Sequence, residues 1–246
     1  MTPRPPAAPP APHAPTAIAA AGGDARRDVY DLAPSELAAV VAALGAPPYR
    51  ARQIWRWLYR GLATSFEAMT DLPRPLRAQL DAALRIGGLD VVASTTSDDG
   101  LATKFLFRLG DGQLIETVFI PEEGRGTLCV SSQVGCAMDC SFCATGKQGF
   151  NRNLTAGEII GQVILATREL APAGGPVPKH LTGRAPITNI VFMGMGEPLA
   201  NFRPVVQACH ILVDDLGFQL SRRRVTVSTS GLVPQMRRLA EETRVA

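Results

Sequence analysis

The sequence predicts an α/β protein in which a small helical unit and a β-hairpin precede strands and helices in alternation. Three observations carry this. Apolar residues recur at three-to-four spacing between Asp28 and about Leu84. Two alternating runs then flank Asp111-Gly112, and beyond Thr127 a strand followed by a helix recurs three times. That last pattern is the signature of a parallel sheet or barrel, since each helix carries the chain back across one sheet face.

At 246 residues the chain can hold one large domain or a small and a larger one. Its apolar fraction of 46% and charged fraction of 19% are ordinary for a folded cytosolic protein, and the net charge of +3 points only weakly to an anionic partner. No apolar run reaches the ~18 residues of a membrane span. Seven prolines in the first fifteen residues leave no apolar stretch for a signal peptide. A cytoplasmic protein without a membrane partner is expected, with residues 1–27 a disordered Pro/Ala-rich tail.

"SELAAVVAALG" predicts a short helix that Gly45 ends. Ala51, Ile54, Trp55, Leu58 and Leu62 form the apolar stripe of a second, while Arg52, Arg56 and Arg60 line another of its faces. "PRPLRAQLDAAL" closes a helical unit spanning 28–88, and with nine Arg against six acidic residues over 26–85 it is basic. "LATKFLFRL" and "GQLIETVFI" predict a hairpin within a linker region 89–121, turning at Asp111-Gly112. The core, 122–246, opens with the strand "TLCVSSQ". Thr155 and Glu158 make a capping box for the next helix, and a Pro/Gly-rich loop over 171–185 follows. "ITNIVFM", a helix over 203–216, "RVTVST" and a helix from Val233 complete the pattern, and the sheet is expected to end near Val225–Ser228 with an unpaired edge.

Four of the five cysteines fall between Cys129 and Cys143, with Cys136, Cys140 and Cys143 spaced C-x3-C-x2-C. A disulfide framework is disfavoured in a chain this long with no export signal. A zinc site usually pairs two knuckles, although Cys129 could serve as a fourth ligand. Three thiolates from one loop also suit a [4Fe–4S] cluster, leaving one iron open to a ligand.

This cysteine spacing, with Phe142 just before the last thiol, resembles the radical S-adenosylmethionine (SAM) signature. "CVSSQVGC", "CATGKQGFNRNL", "NIVFMGMGEPL" and "RRRVTVSTSG" resemble one branch of it, the RlmN family of dual-specificity RNA adenine C2-methyltransferases. The similarity runs from about residue 28 to 246. It implies a partial (β/α) radical SAM barrel, of which about the first half is present, behind a helical RNA-binding accessory domain. It further implies that Cys136, Cys140 and Cys143 hold a [4Fe–4S] cluster and that Gly196, Glu197 and Ser228 contact SAM. Glu116 becomes a proton acceptor, and Cys129 a thiol that resolves a covalent RNA adduct through a transient disulfide bond. Cys209 is read as a core thiol. The implied partners are 23S rRNA, tRNA and an electron donor such as flavodoxin, with the Arg line and Arg222–Arg224 on RNA phosphates.

In that family a methyl-carrying cysteine lies in the C-terminal region, and no cysteine of this sequence falls at the matching position. Residues 1–246 alone are therefore expected to be inactive. The competing readings are a C8-directed adenine methyltransferase of 23S rRNA that confers antibiotic resistance, a non-catalytic RNA-binding remnant, and a zinc-stabilised RNA-binding module.

Overall fold

The structure, a computed structural model, describes residues 24–138, 140–170 and 186–246. Most of the expected tail and the whole 171–185 loop lie outside them.

The helical unit holds α1 (Pro34–Ala43), α2 (Tyr49–Tyr59) and α3 (Arg74–Ala83), and its ends are tied by parallel pairing of β1 (Arg27–Asp28) with β2 (Leu84–Arg85). β3 (Asp90–Thr96), β4 (Thr103–Arg108), β5 (Leu114–Glu122) and β6 (Arg125–Cys129) follow as an antiparallel meander. A small hairpin of β7 (Gln133–Gly135) and β8 (Phe150–Asn153) flanks the cysteine loop and the short α4 (Ala144–Lys147). Then come α5 (Ala156–Leu170), β9 (Asn189–Phe192), α6 (Phe202–Val213), β10 (Val225–Val227) and α7 (Val233–Glu242). β9 and β10 extend β6 in parallel, so the six strands lie in the order β10-β9-β6-β5-β4-β3.

The hairpin strands and the parallel strands are thus one sheet. β5 and β6 pair across residues 121 and 122, with Glu122 opposite Arg125. The hairpin turns where expected, and Gly112 adopts the left-handed φ of 85° that the turn requires. The capping box of α5 forms both ways: Glu158 N–H donates to Thr155 Oγ1 at 3.1 Å, and Thr155 N–H to the Glu158 carboxylate at 2.9 Å. β10 is not the bare edge expected of it. Ala246 N–H donates to the Val225 carbonyl at 3.0 Å, and Val227 N–H to the Ala246 carbonyl at 2.8 Å.

Period-two alternation gives the sheet two faces. Phe105, Phe107, Ile115, Thr117, Phe119, Leu128, Ile190 and Phe192 are buried on one face. Thr117 Oγ1 donates to Gln162 of α5 at 2.8 Å, which identifies this as the helix-covered face. Glu116, Val118, Cys129 and Val191 alternate onto the other, where Leu114 and Ile120 stay exposed.

The helical unit packs on the helices of the covered face, and one apolar core runs through both. Polar ties fix the orientation. Trp55 Nε1 donates to Asp214 at 3.1 Å, the Arg168 guanidinium reaches the Leu62 and Ala63 carbonyls, and Gly157 N–H donates to Asp31 at 2.6 Å. All three residues of the Arg line, Arg52, Arg56 and Arg60, are exposed, and Arg60 also donates to the Asp215 carbonyl.

Asp31 therefore caps an α5 amide from another part of the chain. Asp31→Ala is expected to cost about 1–2 kcal/mol, read as a lower urea midpoint, while Arg52→Ala should change it by less than about 0.5 kcal/mol. Equal effects would contradict this mode of docking.

Candidate active site

β6 ends at Cys129, and the next residues turn their polar groups inward. Ser131, Ser132 and Gln133 are each at most 1% exposed. Ser131 N–H donates to Gln162 Oε1 at 2.8 Å, and Gln162 Nε2 donates back to the Ser131 carbonyl at 3.0 Å. The Ser131 hydroxyl donates to the Glu116 carbonyl at 2.6 Å and accepts from Met195 N–H at 2.9 Å. Ser132 and Gln133 N–H both donate to the Met195 carbonyl. Asn201 Nδ2 closes the strip by donating to the Ser132 and Leu154 carbonyls at 2.8 and 2.7 Å. Buried polar groups persist only when paired like this.

The strip positions the loop after β9. A side chain on Gly194 would meet Ser131 Oγ and the Val130 carbonyl at 2.8 Å. Gly196, at φ 100°, would place a Cβ 2.5 Å from that of Gln133. Glycine is required there for close backbone approach, and at Gly196 for its conformation as well. Glu197 follows, 3% exposed, its N–H donating to Gln133 Oε1 at 2.9 Å. Its carboxylate accepts from Leu199 N–H (2.9 Å), Thr229 Oγ1 (2.8 Å), Ser230 N–H (2.8 Å) and Ser230 Oγ (3.0 Å). These occupy the roughly four acceptor positions of a carboxylate. Glu197 thereby fixes the turn leaving β10, where the exposed Ser228 stands.

Cys129 lies opposite Val118 and beside Val191 on the open face. Glu116 is two residues from Val118 on the same face, so the two groups are diagonal neighbours. Lys104 holds the half-exposed Glu116 carboxylate at 3.0 Å. Burial pushes the Cys129 thiol up, and the Met193 backbone beside it offsets part of the effect.

Cys136, Cys140 and Cys143 are partly exposed on the loop between β7 and α4, and all five cysteines are free, with no disulfide at Cys129. Cys136 N–H donates to the Gly149 carbonyl at 3.0 Å, and Cys143 N–H to that of Cys140 at 2.9 Å. The Gly146 backbone holds the Cys143 thiol below its ordinary range. Three soft donors on one loop without an imidazole fit an iron–sulfur cluster by type. Among the described residues, however, no three thiol, imidazole or carboxylate groups are drawn together as metal ligands.

Cys129 ends β6, Gly196–Glu197 follow β9 and Ser228 follows β10, so these lie at the same end of the three parallel strands, and Glu116 shares the open face with Cys129. Arg222–Arg224 precede β10 and so lie at its opposite end. Sequence reasoning missed Ser131, Gln162 and Asn201. Only their polarity within apolar segments could have signalled them.

Residues 27–86 match the family of ribosomal RNA large subunit methyltransferase N-terminal domains. The fold is similar to the crystal structure of a radical SAM methyltransferase from Sphaerobacter thermophilus, with a TM-score of 0.79 and 49% identity. The match covers 89% of this chain and 62% of that one. This chain thus spans less than two thirds of its relative.

Gln162→Leu would leave the buried Ser131 N–H and carbonyl unpaired, and is expected to cost about 2–4 kcal/mol in urea unfolding. Glu116→Gln touches only a solvent-exposed ion pair and should cost less than about 1 kcal/mol. A Gln162 variant as stable as the Glu116 variant would contradict the role of the strip.

Proposed function

We propose that this chain is RlmN-like and that it forms the RNA-binding unit and the first half of the partial (β/α) barrel of a cytoplasmic radical SAM methyltransferase. The reaction is methylation of adenosine C2 in 23S rRNA and tRNA through a methyl-cysteine intermediate. One observation supports this reading above the others: Cys129 and Glu116 share the open sheet face, and Cys129, Gly196–Glu197 and Ser228 lie at one end of the parallel strands.

In this reading Cys136, Cys140 and Cys143 would hold a [4Fe–4S] cluster, fed by an electron donor of the flavodoxin type. Gly196, Glu197 and Ser228 would hold SAM. Glu197 contributes through its main chain and the turn it fixes, because its carboxylate is already saturated. The bound cluster and SAM supply the radical chemistry that an unactivated carbon requires. The protein's part is positional and acid–base. Lys104 orients Glu116 to accept a proton from a base on the open face. The Cys129 thiolate attacks the sulfur of the methyl-carrying cysteine and breaks its bond to the methylene that links it to the base. The methylene carbon leaves with the electron pair and takes up a proton as the product methyl, and the two cysteines are left as a disulfide. Exposed Arg52 and Arg56 would contact RNA phosphates, a positioning role without sequence readout.

The route needs a carrier thiol besides Cys129. The loop thiols are committed to the cluster, and Cys209 is fully buried in α6 with its thiol pushed up to about 12. Residues 1–246 therefore supply one of the two.

Anaerobic reconstitution is expected to give about four iron and four sulfide per chain. Alanine at Cys136, Cys140 or Cys143 should abolish the cluster, whereas Cys129→Ala should retain it. Stoichiometric zinc in place of iron would sink the assignment. In cluster-free protein, Cys209 alone should resist a thiol reagent until denaturant is added. Residues 1–246, reconstituted and given rRNA and tRNA fragments, should form no 2-methyladenosine, and multiple turnovers would overturn the two-thiol route.

A further inference from the structure

Beside the thiol loop lies a cleft of about 320 Å³ between the β4–β5 turn and the β7–β8 hairpin. That volume is at the lower end of small-ligand pockets, roughly 300–1,000 Å³. No charged side chain lines it, although it sits in a basic chain. Three carboxamides do, Gln113, Gln148 and Asn151, and none of their side chains has a hydrogen-bond partner among the described residues. Leu114, Val134 and Met195 supply apolar surface, and backbone at Gly135 and Gly149 completes the wall.

The walls are fixed. The Met195 carbonyl and N–H are both bound to the Ser131–Gln133 strip. Arg152 of β8 bonds Asp111 of the turn at 2.6 Å and both Glu158 oxygens at 2.8 Å, which sets the width of the cleft. Lys147, exposed and without an acidic partner among the described residues, precedes Gln148 in the chain.

The absence of charge argues against a phosphate or carboxylate inside. Carboxamides that both donate and accept, set between apolar surfaces, match a neutral heteroaromatic ring, and Asn or Gln pairs with the donor–acceptor edge of adenine. Leu114 lies two residues from Glu116 on the open face, so a ring seated here adjoins the candidate proton acceptor. We propose that this cleft is an adenine subsite, read through Gln113, Gln148 and Asn151, with Lys147 placed for an adjoining phosphate. The proposal rests on the RNA-methyltransferase reading. An adenine ring could come from unstacked RNA or from SAM, and the arrangement of Leu114 and Glu116 favours RNA.

The test uses the full chain carrying Gln113→Leu, Gln148→Leu and Asn151→Leu. These side chains are at the surface, so circular dichroism and urea unfolding should match the parent. The probes are a nine-nucleotide oligouridylate with one central adenosine, the same oligomer with an abasic centre, and SAM alone. Wild type is expected to prefer the adenosine oligomer, and the triple variant to bind it roughly tenfold more weakly with the abasic oligomer unchanged. A loss confined to SAM binding would assign the cleft to the cofactor's adenine and still support an adenine subsite. Unchanged affinities for all three probes would overturn the proposal, as would equal loss for the adenosine and abasic oligomers. Iron content reports separately on the cluster reading, so either can fail alone.

Discussion

The candidate site depends on the reciprocal amide bond between Gln162 and Ser131. Both residues are fully buried, and the Gln162 carboxamide satisfies the Ser131 N–H and carbonyl together while accepting from Thr117. Each unmade bond there would leave a desolvated group unpaired, at about 1–3 kcal/mol. That penalty permits only one register of the strip against α5. The Met195 bonds then fix the glycine loop, and Gln133 fixes the Glu197 backbone. The two segments expected to carry cluster and cofactor are thus held by one short polar run, although more than fifty residues separate them.

Rigidity on the covered face leaves the other free for chemistry. The helices and the helical unit bury Phe105, Phe107, Phe119 and Phe192, while Cys129 and Glu116 alternate outward. Strand periodicity alone therefore separates the packing residues from these two candidate site residues. The helical unit is anchored by Trp55–Asp214 and Asp31–Gly157, so its exposed arginines are held in fixed relation to the sheet.

Much of the fold was legible because the core elements are amphipathic. The stripe of α2, the Asp111-Gly112 turn, the capping box of α5 and the three parallel strands all follow from local pattern. β3 escaped because Asp90–Thr96 is a largely exposed strand at one end of the sheet, with no apolar alternation to mark it. β7 and β8 are too short for periodicity to register. "TLCVSSQ" reads as one strand, but β6 stops at Cys129 since Ser131–Gln133 find their partners on α5 and the Met195 loop. Those partners are distant in sequence, so no local rule reveals them. The thiol spacing and the acid after Gly196 were visible. The saturation of that acid by Thr229 and Ser230 was not, because it depends on how β9 and β10 pair.

Native-state hydrogen exchange measures the central claim directly, since exchange from the most protected amides requires global unfolding. The Ser131, Met195 and Glu197 N–H groups, each bonded within the strip, should exchange as slowly as Phe119 in the middle of the sheet. Exchange of these three at the rate of the exposed β4–β5 turn would show that the strip opens locally and does not hold the site together.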